Sequence, residues 1–328
     1  MELNLNLSPE HLEAYLRQHR LIDDTNTIEG LEKPGEGNMN VVVRANGSKG
    51  SLIIKQSKSY VNKYPQIAAP IQRIDIERRF YDLVKVVDRL KDFLPGILGY
   101  VEEDHLLVLE DLGEANDYTY LYDPDQTISE KELAATAQFL YRLHGHAFDA
   151  ATADSFPSNL EMRKLNHEHI FIYPFLEQNG LDLDTITPGL KASAATYQAN
   201  DELKQKALKL GDVYLDQGKQ LLHGDYFFGS WLKTKSGFKV IDPEFCFFGP
   251  AEYDLGVMMA HLDMARQSYD IETLLDPHPL ALDKTLVKHF RAVEILRRVM
   301  GLAQLPLSLT LEEKNELLGK SYDQLMAL

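Results

Sequence analysis

Gln220-Leu221-Leu222-His223-Gly224-Asp225 and, seventeen residues after Asp225, Asp242-Pro243-Glu244 decide the reading of this chain. Each acidic turn ends a short apolar run with strand character, the second being Phe238-Lys239-Val240-Ile241. Set side by side, two such turns bring three carboxylates together. Phosphoryl transfer uses such a set: one carboxylate orients the attacking hydroxyl and accepts its proton, and others hold magnesium against nucleotide phosphates. Magnesium prefers oxygen ligands, and neither Asp242 nor Glu244 has a Lys or Arg beside it. Aspartates at strand ends also cap turns, so it is the joint occurrence of the two motifs that favours a site.

Working outward, Gly35-Glu36-Gly37-Asn38-Met39-Asn40 lies between two predicted strands, where glycines allow close approach of the backbone to phosphates. No Gly-Lys-Ser/Thr follows it and no helix opens there, which excludes a P-loop. Lys55 ends the strand Ser51-Leu52-Ile53-Ile54, and Glu77 sits on the next predicted helix, as a phosphate-binding lysine and its orienting glutamate would. Asp75 is the rival partner for Lys55. Predicted strands over residues 27–32, 41–44, 51–55, 97–100 and 106–109, with a long helix over 74–90 and a short opening helix after Ser8-Pro9-Glu10, describe a small α+β lobe. Beyond Glu110-Asp111-Leu112-Gly113 the texture turns helical, beginning with 129–146. The expected organisation is therefore a lobe of residues 1–112 and a larger, mostly helical lobe of residues 113–328.

The 328 residues include 44% apolar side chains, enough for substantial cores. With 34 Lys plus Arg against 50 Asp plus Glu, the net charge of −16 argues against nucleic-acid and anionic-lipid partners. Cys246 is the only cysteine, which rules out an internal disulfide and fits a reducing compartment. There is no basic-then-apolar leader and no uninterrupted apolar span of about 18 residues, so a cytoplasmic setting is expected. His144-Gly145-His146 and His167-Glu168-His169 lack further ligands at metal-binding spacing.

Glycine-rich hairpin, strand lysine, helix glutamate, apolar strand ending in Glu110-Asp111-Leu112, then His-Gly-Asp and Asp-Pro-Glu is the order of parts in a protein-kinase-like fold. The chain resembles the aminoglycoside phosphotransferase and choline kinase superfamily, and within it the S-methyl-5-thioribose kinases. The nearer resemblance rests on the 35–40 loop; on Ile53-Ile54-Lys55-Gln56 with Tyr60-Val61; and on Gly229-Ser230. It rests further on Asp242-Pro243-Glu244-Phe245 with Phe248-Gly249-Pro250, and on Arg297-Arg298 with Gly301-Leu302-Ala303.

The resemblance implies a bilobal α+β fold, an N-lobe antiparallel sheet with one main helix and a helical C-lobe, and an ATP- and magnesium-dependent kinase acting on a small-molecule hydroxyl. A methylthioribose-like pentose is the first expected acceptor, with aminoglycosides, choline-like amines and other sugars as alternatives; a non-catalytic nucleotide-binding protein is the reading from another class. By resemblance Asp225 is the catalytic aspartate, and Asp242, Glu244 and Ser230 are metal ligands. Gly35, Gly37, Asn38, Asn40, Lys55 and Glu77 serve the phosphates, and Glu110 and Leu112 belong to a hinge that meets adenine. Arg297 and Arg298 lie near the substrate, Asp254 braces the catalytic loop, His144 is structural, and a homodimer is compatible with the likeness. The superfamily usually places Leu-His after His-Gly-Asp, and an Asn five residues beyond the Asp. Here Tyr226-Phe227 and Ser230 stand at those positions, which exchanges a hydrogen-bonding group near the nucleophile for an apolar ring. Adjacent helical residues diverge by about 100°, so Arg297 and Arg298 converge on one site only near a helix end.

Overall fold

In the computed structural model, residues 1–35, 37 and 39–327 are described. They form two compact units: Met1–Asn116 with Leu232–Cys246, and Asp117–Trp231 with Phe247–Leu328.

The first unit is built on a five-stranded antiparallel sheet. Its strands are β1 (Ile28–Glu32), β2 (Val41–Gly47), β3 (Leu52–Gln56), β6 (Ile97–Val101) and β7 (Leu106–Glu110), ordered β1-β2-β3-β7-β6. A hairpin of β4 (Tyr60–Val61) and β5 (Tyr64–Ala68) leads into helix α2 (Arg73–Val84). Helix α1 (Pro9–Gln18) opens where the Ser8 hydroxyl accepts the His11 N–H and Pro9 occupies the first turn. Leu12 and Leu16 of α1 join Val43, Ala45, Leu52, Ile54, Leu106 and Val108 in one apolar cluster on one face of the sheet. Side chains alternate along a strand, so Lys55, next to Ile54, is turned to the other face.

Helix α2 ends at Val84, short of the expected residue 90. The next turns tighten into bonds from Val87 N–H to the Val84 carbonyl and from Leu90 N–H to the Val87 carbonyl, and Val86 is 75% exposed. Consecutive β-branched residues with no apolar partner outside do not sustain the helix. A second difference is that Leu232–Cys246 belongs to the first unit, not to the 113–328 lobe suggested by texture. The Phe238 ring packs edge-on to Phe93, and the turn Pro243–Phe245 packs on α2.

The second unit is mainly helical: α3 (Glu130–His144), α4 (Ala150–Ser155), α5 (Leu160–His167), α6 (Leu190–Gln198), α7 (Asp201–Leu215), α8 (Ala251–Met264), α9 (Ile271–Leu275), α10 (Lys284–Met300) and α11 (Leu311–Met326). A reciprocal Ser129–Glu132 capping box starts α3, and Thr310–Glu313 starts α11. Helix α8 is buried almost all round, packed along α10. A short antiparallel pair, Gln220–Leu222 with Phe247–Gly249, delivers the chain to His223. Among the described residues no helix is long and apolar enough to cross a membrane.

Candidate active site

In the first unit, Lys55 is 3% exposed and its Nζ donates to both Glu77 carboxylate oxygens at 2.7 and 2.8 Å and to Asp242 Oδ1 at 2.5 Å. Burial favours the neutral amine; the carboxylates of Asp242, Glu77 and Glu244 outweigh it and hold Lys55 charged well above the lysine range. The rival Asp75 is engaged elsewhere, by Arg78 at 2.8 Å and Arg79 at 2.6 Å. Asp242 adopts a left-handed backbone conformation, φ 64°, which is sparsely populated outside glycine and tolerated by Asp. Its N–H donates to the buried Tyr81 hydroxyl at 3.3 Å.

Glu244, 6% exposed, accepts from Asn40 Nδ2 at 2.9 Å and faces Arg73 Nε at 3.4 Å. Burial pushes its carboxyl up to about 8, with Lys55 and Arg73 opposing and Glu77 and Asp242 adding. Arg73, wholly buried at the start of α2, is a residue the sequence reading passed over. It donates to Asn40 Oδ1 at 2.9 Å and to the carbonyls of Met39, Lys58 and Pro70 at 2.8, 2.6 and 2.9 Å. Asn40, expected to serve phosphates, thus has both ends of its amide engaged within the protein. Gly35 and Gly37 have ordinary φ, and a Cβ at Gly35 would meet nothing within 4 Å. Asn38 and Glu36 lie outside the described residues. Glu110 donates its N–H to the Gly96 carbonyl at 2.8 Å and accepts the Gly96 N–H on its carboxylate at 3.0 Å. Leu112 lies half-buried past the end of β7.

In the second unit, Asp254 of α8 is fully buried and accepts the N–H groups of His223 at 2.7 Å and Gly224 at 3.0 Å, and faces His144 Nε2 at 3.1 Å. Two successive N–H groups converge on one carboxylate because Gly224 takes φ 85°, a conformation glycine adopts without a Cβ penalty. This brace presents Asp225, whose side chain is 23% exposed, to Arg297 Nη2 at 3.7 Å and Arg298 Nη2 at 3.6 Å. The arginines close the last turn of α10, which satisfies the helix-end condition for converging on one site. Burial raises the Asp225 carboxyl above the usual range, Arg298 and Arg297 pull it down, and Glu294 pushes it up. Ser230, expected as a metal ligand, donates its hydroxyl to the Asp225 carbonyl at 2.8 Å.

The aromatic run after Asp225 divides. Tyr226 and Phe228 are fully buried, Tyr226 stacking on Phe139 and donating to the Thr136 carbonyl at 2.9 Å. Phe227 carries the Arg298 guanidinium over its ring at 5.1 Å. The ring that replaces the usual histidine therefore supports an arginine beside the Asp225 loop.

A family model described as "Phosphotransferase enzyme family" matches residues 30–278. The chain belongs to this phosphotransferase family. A methylthioribose kinase of Exiguobacterium sibiricum is 27% identical over 86% of this phosphotransferase and 75% of its own length. Methylthioribose kinase 1 of Oryza sativa subsp. japonica is 27% identical over 73% of the chain, which spans only 57% of that relative. Among solved structures, choline kinase from Cryptosporidium parvum Iowa II gives a TM-score of 0.55 at 13% identity, covering 98% of this chain and 96% of its own. A spectinomycin phosphotransferase in complex with ADP and spectinomycin gives 0.53 at 15%, covering 98% of each. These likenesses establish the α+β kinase-like fold, and membership in the family makes the chain a phosphotransferase acting on a hydroxyl, with a nucleotide as the family's donor.

Besides Arg73, the sequence reading missed Tyr81, Glu294 and His261. Helical spacing offered a signal for Glu294, which stands three and four residues before the arginine pair. Arg73 offered none, since most of its partners are backbone carbonyls. Cys246 is buried, its Sγ 3.8 Å from the Ile76 carbonyl. Among the described residues no group of three or more His, Cys, Asp or Glu is arranged to hold a metal ion.

Proposed function

We propose that this phosphotransferase moves the γ-phosphoryl group of ATP to a hydroxyl of a methylthioribose-like pentose. The observation that carries the reading is the arginine pair at the end of α10 set 3.6 and 3.7 Å from the Asp225 carboxylate, together with relatives named methylthioribose kinases. Asp225 orients the acceptor hydroxyl and takes its proton, held in place by the Gly224 turn and the Asp254 brace. The arginines counter negative charge as it develops near that hydroxyl. In the first unit Lys55, oriented by Glu77, contacts the nucleotide phosphates.

Asp242 and Glu244 would hold magnesium. Their donor set suits it: all ligand atoms are carboxylate oxygens, and three carboxylates, Glu77, Asp242 and Glu244, surround only two cations, Lys55 and Arg73. Bound there, the ion supplies charge neutralisation for the nucleotide phosphates. The transfer is direct, and no covalent enzyme intermediate is required.

The test is acceptor-dependent ADP release with magnesium and ATP, using methylthioribose beside other pentoses, choline-like amines and aminoglycosides, and Asp225→Asn as control. Turnover of methylthioribose that is lost in the variant is the expected result. Turnover of another compound alone discards the pentose, and an active Asp225→Asn enzyme discards the role given to Asp225.

A further inference from the structure

Arg297 and Arg298 reach toward Asp225 without bonding to it: 3.7 and 3.6 Å exceed hydrogen-bond length. Two flexible cations beside a carboxylate would ordinarily close on it in direct, forked pairs. They are held off by Glu294, one turn earlier on the same helix and 1% exposed. Glu294 Oε2 accepts from Arg297 Nε at 2.6 Å, and Oε1 accepts from Arg297 Nη2 at 3.1 Å and Arg298 Nε at 2.7 Å. Both Nε groups are thus committed backward along α10.

Glu294 is itself fixed. Although burial favours its neutral form, Arg297 and Arg298 keep it ionised, well below the usual carboxylate range. His261 Nε2 lies 3.1 Å from Glu294 Oε1, and His261 Nδ1 lies 2.5 Å from the Tyr122 hydroxyl. An ionised carboxylate only accepts, so Nε2 carries the imidazole proton and Nδ1 accepts from Tyr122. The Phe227 ring completes the enclosure, 5.1 Å from the Arg298 guanidinium and 5.1 Å from the His261 ring.

We propose that Glu294 is a positioning residue that withholds Arg297 and Arg298 from Asp225, leaving that carboxylate's acceptor lone pairs open for the substrate hydroxyl. The inference rests on the reading of Asp225 as proton acceptor. If Glu294 loses its charge, the two arginines close on Asp225, which becomes both more acidic and sterically occupied. The groups facing Asp225 are Arg297, Arg298 and Glu294 from α10, His223 from its own loop, Tyr122, Tyr214 from α7 and Tyr253 from α8, with His261 of α8 behind Glu294. The three tyrosines stay neutral across the acid range, their phenols raised by burial, so the two histidines, His223 beside Asp225 and His261 behind Glu294, are the groups whose titration has to be separated from that of Asp225.

The experiment is the pH profile of kcat/KM for Glu294→Gln, Glu294→Asp and His261→Asn, measured by ADP release with the acceptor that turns over in the wild-type enzyme. Glu294→Gln is expected to lower kcat about a hundredfold while leaving the KM for ATP unchanged, and to move the acid limb to lower pH. Glu294→Asp, which keeps the carboxylate, recovers part of both; it also serves if the glutamine variant fails to fold. In His261→Asn the limb persists. A Glu294→Gln enzyme that melts lower but keeps its acid limb and kcat makes Glu294 merely structural and overturns the proposal. So does loss of the limb in His261→Asn. If Asp225→Asn proves active, it is the reading of Asp225 that fails, independently of these variants.

Discussion

Arg73→Met keeps the apolar volume of the side chain and deletes its guanidinium, and the structure lets the consequence be worked out. The lost group is fully buried, 3.4 Å from the Glu244 carboxylate, and serves Asn40 and the carbonyls of Met39, Lys58 and Pro70. Removing one partner of a buried ion pair costs about 3–5 kcal/mol, because the other charge stays buried; Lys55 still opposes the burial of Glu244, whose carboxyl already sits at about 8, so the low end applies. Taking about 3 kcal/mol, and about 1.5 °C for each in a chain of 328 residues, the melting temperature should fall by roughly 5 °C in scanning calorimetry. The mechanism has its own signature: adding Glu244→Gln removes the stranded charge, so the double variant should be less destabilised than the sum of the singles by about 1.5 kcal/mol or more. Additivity within about 0.5 kcal/mol, or a single-variant loss below about 1 kcal/mol, refutes the argument.

Lys55→Met and Glu77→Gln should each reduce kcat/KM for ATP at least tenfold, since one removes the phosphate contact and the other its orienting hydrogen bonds; steady-state kinetics decides, and an unchanged Lys55→Met enzyme sinks the assignment. Gly224→Ala places a side chain at φ 85°, a cost of about 1–2 kcal/mol, and should weaken the Asp254 brace enough to lower kcat as well as stability; unaltered kcat would show that the brace is dispensable. Burial lowers the pKa of His261 from 6.5 to about 4, so it is neutral in the fold and readily charged in the unfolded chain. Its stabilising contribution is complete above pH 6.5 and is lost as pH falls through 4, about 3 kcal/mol in all, and His261→Asn should flatten that part of a urea-denaturation profile.

The parts of the candidate site legible in the sequence were those whose chemistry is written locally. His223-Gly224-Asp225 and Asp242-Pro243-Glu244 each follow an apolar run, and Lys55 falls on the strand position that alternation turns away from Leu52 and Ile54. Glu77 stands at helical spacing with Phe80, Tyr81 and Val84 on the buried side of α2, about 200° around the helix from Asp75, which Arg78 and Arg79 claim. Arg73 was illegible for a deeper reason: its partners come from residues 39, 40, 58, 60, 70 and 244, and backbone carbonyls carry no residue-type signal. The β4–β5 hairpin escaped because a two-residue strand has no measurable period. The placement of Leu232–Cys246 in the first unit depends on Phe238 meeting Phe93 and on the turn at Pro243 meeting α2, contacts between segments more than a hundred residues apart.

Asn40 spends its amide oxygen on Arg73 and its amide nitrogen on Glu244. Anyone grafting the 35–40 loop from a relative to alter nucleotide preference would therefore be exchanging one corner of a three-cornered fitting. A donor loop lacking the asparagine would leave Arg73 and Glu244 cut for a joint that no longer exists, so the practical unit of exchange is the loop together with both of its anchors.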